Sequence, residues 1–334
     1  MARILIATDA WHPQVNGVVR TLDTTTRRLR ERGHAVEVIE PSRYAASPVP
    51  FYPEIQVCYP RPGRVYHRIR TFDPDHVHIS TEGPLGLLVR RYCRLRGWRF
   101  STSYHTRFPE YLKRLAGVPL RLSYRFLKWF HNASSCMMVA TPSLEKELIG
   151  RGFTAPIRRW SRGVDLGIFH PRARAASPIA TPTLLYVGRV SHEKNIEDFL
   201  KLKTPGVKVV VGDGPARAEL ERKYPEARFL GYRSGDALGE VYAAADLFVF
   251  PSRTDTFGIV VIEALASGLP VAAYPATGPI DTVTNETLGA LDDDLGLAVE
   301  RALCTGDPAA CAAEGRRYTW DACTSQFESN LVPR

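Results

Sequence analysis

The 334 residues are 44% hydrophobic and 24% charged, an ordinary globular composition whose length suits two α/β domains rather than one. No run of eighteen apolar residues occurs and the apolar start Ile4 to Ala7 is cut off by Asp9, so neither a transmembrane helix nor a secretory leader is expected and the chain reads as cytoplasmic. The net charge of +9 is uneven: residues 1–165 hold 27 Lys and Arg against 13 Asp and Glu, net +14, and residues 166–334 hold 17 against 22, net −5, which asks for an anionic partner for the first half.

Arg3 to Ala7 is a short apolar strand, followed by the loop Asp9 to Gly17, a helix ending near Gly33 and the strand Ala35 to Ile39, together one βαβ unit. Asn16-Gly17 reads either as a plain turn or as a place where backbone meets a phosphate or sugar. Residues 44–68 are rich in Pro, Tyr and Arg without helical periodicity and predict a long surface loop. His76 to Ile79 and Arg99 to Tyr104 read as buried strands, with a helix from Pro84 between them that carries Arg90, Arg91, Arg94 and Arg96.

Glu82-Gly83 and His105-Thr106 fall at the carboxyl ends of those strands, where open parallel sheets place ligand sites. A histidine there is either a structural hydrogen-bonder or a substrate contact. Pro119 to Phe130 spaces Arg121, Arg125 and Lys128 at helical intervals among Leu122, Phe126, Leu127, Trp129 and Phe130. Two readings stand for it: an interfacial amphipathic helix, or a domain helix with aromatics in the core and charges in water. Nucleic acid fits the charge but not the motifs, since no zinc finger, RNP-like strand, helix-turn-helix or KH loop is present, and it is not the expected partner.

After Arg162-Gly163-Val164-Asp165, the stretch Pro171 to Pro182 reads as an interdomain linker. A second α/β series follows: strands Leu184 to Val187, Val207 to Val211, Arg228 to Leu230, Leu247 to Phe250 and Pro270 to Ala273, with helices from Asn195 and Ala216. Two βαβ domains with a linker imply a cleft, a preferred place for ligands. Arg189 and Lys194 share the first strand-to-helix loop, five apart, where both could reach a diphosphate. In Pro251 to Gly268 a strand end and polar loop lead into a helix from about Gly258, which Gly268 stops. Asp255 precedes that helix and Glu263 lies within it, on either side of its unpaired N–H groups, which form an anion site. A nucleotide-sugar, with a diphosphate and hydroxyls, suits that set; a solvated cap and a surface Glu is the plainer alternative.

The six cysteines form no C-x-x-C pair and read as reduced structural thiols. No G-x-G-x-x-G follows the first strand of either domain, against a nicotinamide oxidoreductase. Trp320 to Asn330 reads as a terminal helix, and Leu331-Val332-Pro333-Arg334 spells the upstream half of a thrombin site, as an appended remnant would.

Asn16-Gly17-Val18-Val19-Arg20, Glu82-Gly83-Pro84, Tyr104 to Tyr111, Thr141-Pro142-Ser143, Arg162 to Asp165, Gly188-Arg189, Gly212-Asp213-Gly214-Pro215 and Pro251 to Gly268 together resemble the retaining glycosyltransferases of family 4, over nearly the whole chain. The resemblance implies an α/β GT-B fold, two Rossmann-like doubly wound parallel-sheet domains facing across a cleft. Residues 1–166 would be the acceptor-side domain, rejoined by a crossover helix at about 318–330, and 170–317 the nucleotide-sugar domain.

The resemblance also implies roles. The Gly17 amide would approach the donor diphosphate, Arg189 and Lys194 would neutralise it, Gly212 would border it, and Glu263 would accept from the ribose hydroxyls. The amides of Thr256, Phe257 and Gly258, with the side chains of Asp255 and His105, would hold the donor sugar. His105, Asp255, Arg189 and Lys194 form the expected catalytic group, and Arg107, Arg121, Arg125, Lys128 and Trp129 the acceptor or membrane side. The family's usual pair is Glu-x7-Glu; Asp255 is one methylene shorter, as in relatives acting on lipid acceptors.

The implied reaction is retaining transfer of a hexose from a UDP-sugar (glucose, galactose or glucuronate) to a lipid such as diacylglycerol, at an anionic membrane surface on the inner face of the cytoplasmic membrane. No cofactor and no metal are expected: there is no Asp-x-Asp motif in a suitable loop, and the cations would replace Mg²⁺. Alternatives are a GDP-mannose-dependent α-mannosyltransferase acting on a phosphatidylinositol, glycolipid or glycan, and a GT-B-like epimerase or sugar-nucleotide binder.

Overall fold

A computed structural model describes residues 1–14, 16–49, 52–172 and 181–334, with the side chains at 48, 49, 52–56, 111 and 114–116 outside that set. The chain divides into two compact units, Met1–Ser161 with Trp320–Arg334, and Arg162–Thr319. Of the expected linker Pro171 to Pro182, residues 173–180 lie outside the described residues.

In the first unit six parallel strands run in the order Ala35–Ile39, Arg3–Ala7, His76–Ile79, Ser101–Ser103, Cys136–Val139 and Ile157–Arg159. Ile4, Leu5, Ile6 and Ala7 are fully buried, because a parallel sheet is covered by helices on both faces and its strands read as continuous apolar runs. Leu5, Val77, Leu85 and Val89 pack on one face; Ile4, Ile6, Leu22, Leu29 and Trp160 pack on the other.

The surface loop expected over residues 44–68 is instead ordered structure. Ala46–Val49 and Tyr52–Cys58 form an antiparallel hairpin, and a helix spans Pro62–Phe72. The prolines that argued for a loop include Pro62, which starts the helix because its missing N–H is not needed in the first turn. Val65 and Ile69, one turn apart, are the buried face, and Asp73 ends the helix in the left-handed region at φ 48.

The helix Trp320–Ser329 belongs to the first unit and buries Trp320, Cys323 and Phe327 beside Ile4, Leu22 and Trp160. Arg32 fastens it through Asp321 at 2.5 Å and Glu328 at 2.9 Å. The tail 331–334, read as an appended remnant, is packed on this unit: Pro333 bridges to His76, and the Arg334 guanidinium bonds Asp73 at 2.6 Å and stacks over Trp98 at 4.5 Å.

In the second unit the parallel order is Arg228–Gly231, Val207–Val211, Thr183–Val187, Leu247–Phe250, Val271–Ala273 and Gly289–Leu291. Counted along the chain this is 3-2-1-4-5-6, the doubly wound Rossmann order. The helix expected from Asn195 begins one residue later, as Ile196–Leu200, because Asn195 takes φ 53 after a 3₁₀ turn His192–Lys194. In each sheet the strand order reverses once: beside Arg3–Ala7 and His76–Ile79 in the first, and beside Thr183–Val187 and Leu247–Phe250 in the second. The loops leaving two such strands diverge and open a crevice at their carboxyl ends. Among the described residues no helix is long and apolar enough to cross a membrane.

Candidate active site

At the reversal in the second unit, the loop after Thr183–Val187 carries Arg189 and Lys194, and the loop after Leu247–Phe250 carries Asp255. The two loops are joined by an ion pair, Lys194 Nζ to Asp255 Oδ1, at 2.7 Å. Burial pushes the Asp255 carboxyl up, but the Lys194 charge and hydrogen bond, with a bond from Ser252, outweigh it and hold the group below its ordinary value. Arg189 Nε lies 3.8 Å from Glu193 Oε1, and the Tyr186 hydroxyl donates to the Arg189 carbonyl at 2.7 Å. The expected cationic pair therefore sits beside two carboxylates.

Gly212, in the loop after Val207–Val211, packs against the backbone of Gly188 beside that crevice. It lies at φ +136, and a Cβ there would stand 1.9 Å from the Gly188 carbonyl oxygen, so no other residue fits. Gly258, at φ 83, caps the helix Ile259–Ala266, with Thr256 and Phe257 buried before it. Glu263 is 1% exposed and accepts a hydrogen bond from the Tyr242 hydroxyl at 3.1 Å. The plainer alternative of a surface glutamate is thereby removed.

In the first unit His105 is buried just past the strand Ser101–Ser103, with Nε2 2.8 Å from Ser103 Oγ. Ser103 Oγ also lies 3.1 Å from His78 Nε2, and His78 Nδ1 lies 2.9 Å from Ser101 Oγ. A chain of hydrogen bonds thus runs Ser101, His78, Ser103, His105. Full burial drives the His78 pKa down to about 3, so this ring is neutral. Trp160 and Phe327 meet the His78 ring edge-on at 5.7 and 4.8 Å.

At the reversal in this sheet, Asp9 binds the Thr81 hydroxyl at 2.8 Å and the Leu85 amide at 2.8 Å, and burial raises its pKa. Asn16 caps the helix Gly17–Glu31 through the amides of Val18 and Val19, and Gly17 is exposed in its first turn.

The five residues expected on the acceptor or membrane side separate into two groups. Arg107 is a strut, bidentate on Glu147 at 3.2 and 2.5 Å. Arg121, Arg125, Lys128 and Trp129 share the outer face of the helix Leu120–His131, while Tyr124, Leu127 and Phe130 enter the core. The helix combines both sequence readings, with an aromatic core face and an outer face that leaves Leu122 58% and Trp129 54% exposed.

Sequence reasoning passed over Glu193, Tyr242, His78 and Ser103. Only His78 carried a local signal: a histidine inside a buried strand requires hydrogen-bond partners, and Ser101 and Ser103 supply them from the neighbouring strand.

Residues 15–167 match the family model for Glycosyltransferase Family 4, and residues 181–314 match that for Glycosyl transferases group 1. A GDP-mannose-dependent alpha-mannosyltransferase of Mycobacterium tuberculosis is 32% identical over 317 residues, covering 86% of this chain and 83% of the relative. The chain belongs to glycosyltransferase family 4. Another family relative is an alpha-monoglucosyldiacylglycerol synthase of Streptococcus pneumoniae, 26% identical over 90% of this chain and 78% of the relative. Among solved structures, sucrose-phosphate synthase from Thermosynechococcus elongatus superposes with a TM-score of 0.74 at 20% identity, covering 98% of this chain and 97% of that one. The two Rossmann-like domains are those of the GT-B fold, and the family member described here is a glycosyltransferase.

Proposed function

We propose that this family 4 enzyme is a retaining hexosyltransferase that moves glucose, galactose or glucuronate from a UDP-sugar to a lipid such as diacylglycerol at a membrane surface, without a metal. The observation that carries the reading is the Lys194–Asp255 pair at the strand-order reversal, with Arg189 on the same loop. Sugar transfer leaves negative charge on the departing diphosphate while positive charge develops on the sugar. Preorganised cations meet the first need and a carboxylate the second.

An ammonium has three donors, so Lys194 can hold Asp255 and a phosphate oxygen together. A carboxylate has about four acceptor positions, so the Tyr242 bond leaves Glu263 able to receive ribose hydroxyls. In the retaining step the bond from the anomeric carbon to the phosphate oxygen breaks, the acceptor oxygen bonds that carbon on the same face, and the acceptor proton passes to the departing phosphate. UDP and the glycolipid are the products.

The lipid acceptor is supported by the basic first unit and by the monoglucosyldiacylglycerol synthase relative. A second reading, GDP-mannose as donor with a phosphatidylinositol, glycolipid or glycan acceptor, is favoured by the mannosyltransferase relative.

The test is a turnover screen of UDP-glucose, UDP-galactose, UDP-glucuronate and GDP-mannose, each with and without anionic vesicles containing diacylglycerol. Vesicle-dependent UDP release with a new α-linked glycolipid supports the reading, and GDP-mannose turnover supports the second. A β-linked product overturns retention. Tight nucleotide binding without turnover of any donor overturns transfer in favour of an epimerase or binding role. Addition of EDTA is expected to leave the rate unchanged.

A further inference from the structure

At the strand-order reversal of the first unit, the loop between His76–Ile79 and the helix Pro84–Leu95 carries Glu82. The backbone of this loop is pinned to Asp9, which accepts from Thr81 Oγ1 and from the Leu85 and Gly86 amides and leaves no room for a Cβ on Gly83. The side chain is held separately. Glu82 Oε1 lies 2.9 Å from Nε2 of His131, the last residue of the helix Leu120–His131. His131 is fully buried, whereas the Glu82 side chain is 18% exposed.

The hydrogen bonds behind His131 fix a proton between the two. Ser134 gives its hydroxyl proton to the His131 carbonyl at 2.8 Å, so Thr102 donates to Ser134 Oγ at 3.2 Å, and the Thr102 oxygen accepts from His131 Nδ1–H at 3.0 Å. With Nδ1 protonated, the contact between Nε2 and Oε1 needs a further proton, on the ring or on the carboxyl. In either form Oε2 is an acceptor only. Among the described residues no other group bonds the Glu82 carboxyl, so this oxygen is available to a ligand. It suits a hydroxyl, which donates, rather than an ionised phosphate, which only accepts.

In the retaining step the attacking hydroxyl passes its one proton to the departing phosphate. The hydroxyl that Oε2 receives is therefore a second one. Diacylglycerol has a single free hydroxyl, and a lipid that already bears a sugar has several.

We propose that Glu82, positioned by His131, receives a hydroxyl of a polyhydroxylated headgroup, and that the enzyme accepts, beside diacylglycerol, a lipid that already carries a hexose. The assignment rests on the lipid-acceptor reading and gives that acceptor a second point of attachment. The bond from the anomeric carbon to the phosphate oxygen breaks, a headgroup oxygen bonds that carbon, and its proton leaves on the nucleoside diphosphate. A dihexosyl lipid is the other product.

The experiment measures transfer, from the donor selected by the screen above, to vesicles containing either diacylglycerol or diacylglycerol with one α-linked glucose. The full chain is compared with Glu82→Gln, which keeps an oxygen for the His131 proton and places an amide where Oε2 was. Wild type should glycosylate both lipids. The variant should lose roughly ten- to hundredfold in kcat/KM toward the glucosylated lipid, the worth of a hydrogen bond to a charged group, and nothing toward diacylglycerol. His131→Leu should behave as Glu82→Gln does, and His131→Gln, which can still donate to Glu82, should recover most of the rate. Thermal melting of each variant confirms folding.

An unchanged kcat/KM toward the glucosylated lipid, or wild-type transfer to diacylglycerol alone, would overturn the subsite and leave the proposed function standing. Equal loss on both lipids would overturn the second hydroxyl, and slower acceptor-free hydrolysis of the donor would assign Glu82 to the transferred hexose instead. No transfer to either lipid would contradict the lipid-acceptor reading, and the subsite with it.

Discussion

Lys194 Nζ and Asp255 Oδ1 are 2.7 Å apart although 61 positions separate the residues along the chain. The contact exists because Thr183–Val187 and Leu247–Phe250 are neighbours in the sheet, and the loops that leave them meet at the reversal of strand order. Removing either partner takes from the other, largely buried charge its partner in this ion pair, so Lys194→Ala and Asp255→Ala should each lower stability, and the double variant should lose less than the sum. A coupling of about 1–3 kcal/mol is expected from denaturant unfolding of the four proteins. The Asp255 carboxyl is held below its ordinary value. The pair's contribution is therefore present above about pH 4 and is lost as pH falls through the lowered folded pKa. Additive single effects would show that the pair is not coupled.

Ser103, 2.8 Å from His105 Nε2, is one of the groups that hold that ring. Ser103→Ala should reduce kcat roughly ten- to hundredfold, the usual cost of losing an orienting partner, with little change in KM for the donor. Ser103→Thr keeps the hydroxyl and should restore most of the rate. An alanine variant with wild-type kcat would remove the hydrogen-bond chain from the catalytic account.

His78 makes stability pH-dependent in a defined direction. Its folded pKa is depressed to about 3 from an ordinary value of 6.5, so the unfolded chain takes up a proton first and stability falls as pH drops below 6.5. At pH 5 the loss from this group is about 2 kcal/mol. The destabilisation caused by His78→Asn should accordingly be about 2 kcal/mol smaller at pH 5 than at pH 7. A pH-independent difference between the two proteins would show that the ring titrates normally in the fold.

Phe327 tests the returning terminal helix. It is fully buried between His78 and Trp160, with ring centroids at 4.8 and 4.7 Å. Phe327→Ala should cost about 3–5 kcal/mol by the usual price of a large aromatic cavity, and truncation before Trp320 should cost more. Unchanged melting of the truncated chain would contradict the packing of this helix on the first unit.

The fold was largely legible because buried parallel strands such as Ile4 to Ala7 and Leu247 to Phe250 are short unbroken apolar runs, and such runs need no tertiary information to be seen. The helix Pro62–Phe72 was hidden because its starting proline and its arginines resembled loop chemistry, with only Val65 and Ile69 to mark a face. At the candidate site, residue types and local turns could be read: the positive-φ glycine Gly268 that stops its helix, and Arg189 and Lys194 on one loop. Pairings across strands could not. Asp255 with Lys194, Glu263 with Tyr242 and His105 with Ser103 and His78 depend on strand order and on which side of a helix faces inward, and these follow from packing rather than spacing.

The most direct test of the central claim follows labelled hexose from a nucleotide-sugar into the organic extract of diacylglycerol-containing anionic vesicles, for the wild-type enzyme, Arg189→Ala and Lys194→Ala. Label should enter the lipid phase with the wild type, and each variant should lose roughly a hundredfold or more of that rate as leaving-group stabilisation is removed. Label that stays in the aqueous phase with every donor, or equal rates in the three proteins, would contradict a glycolipid-forming enzyme that relies on these two cations.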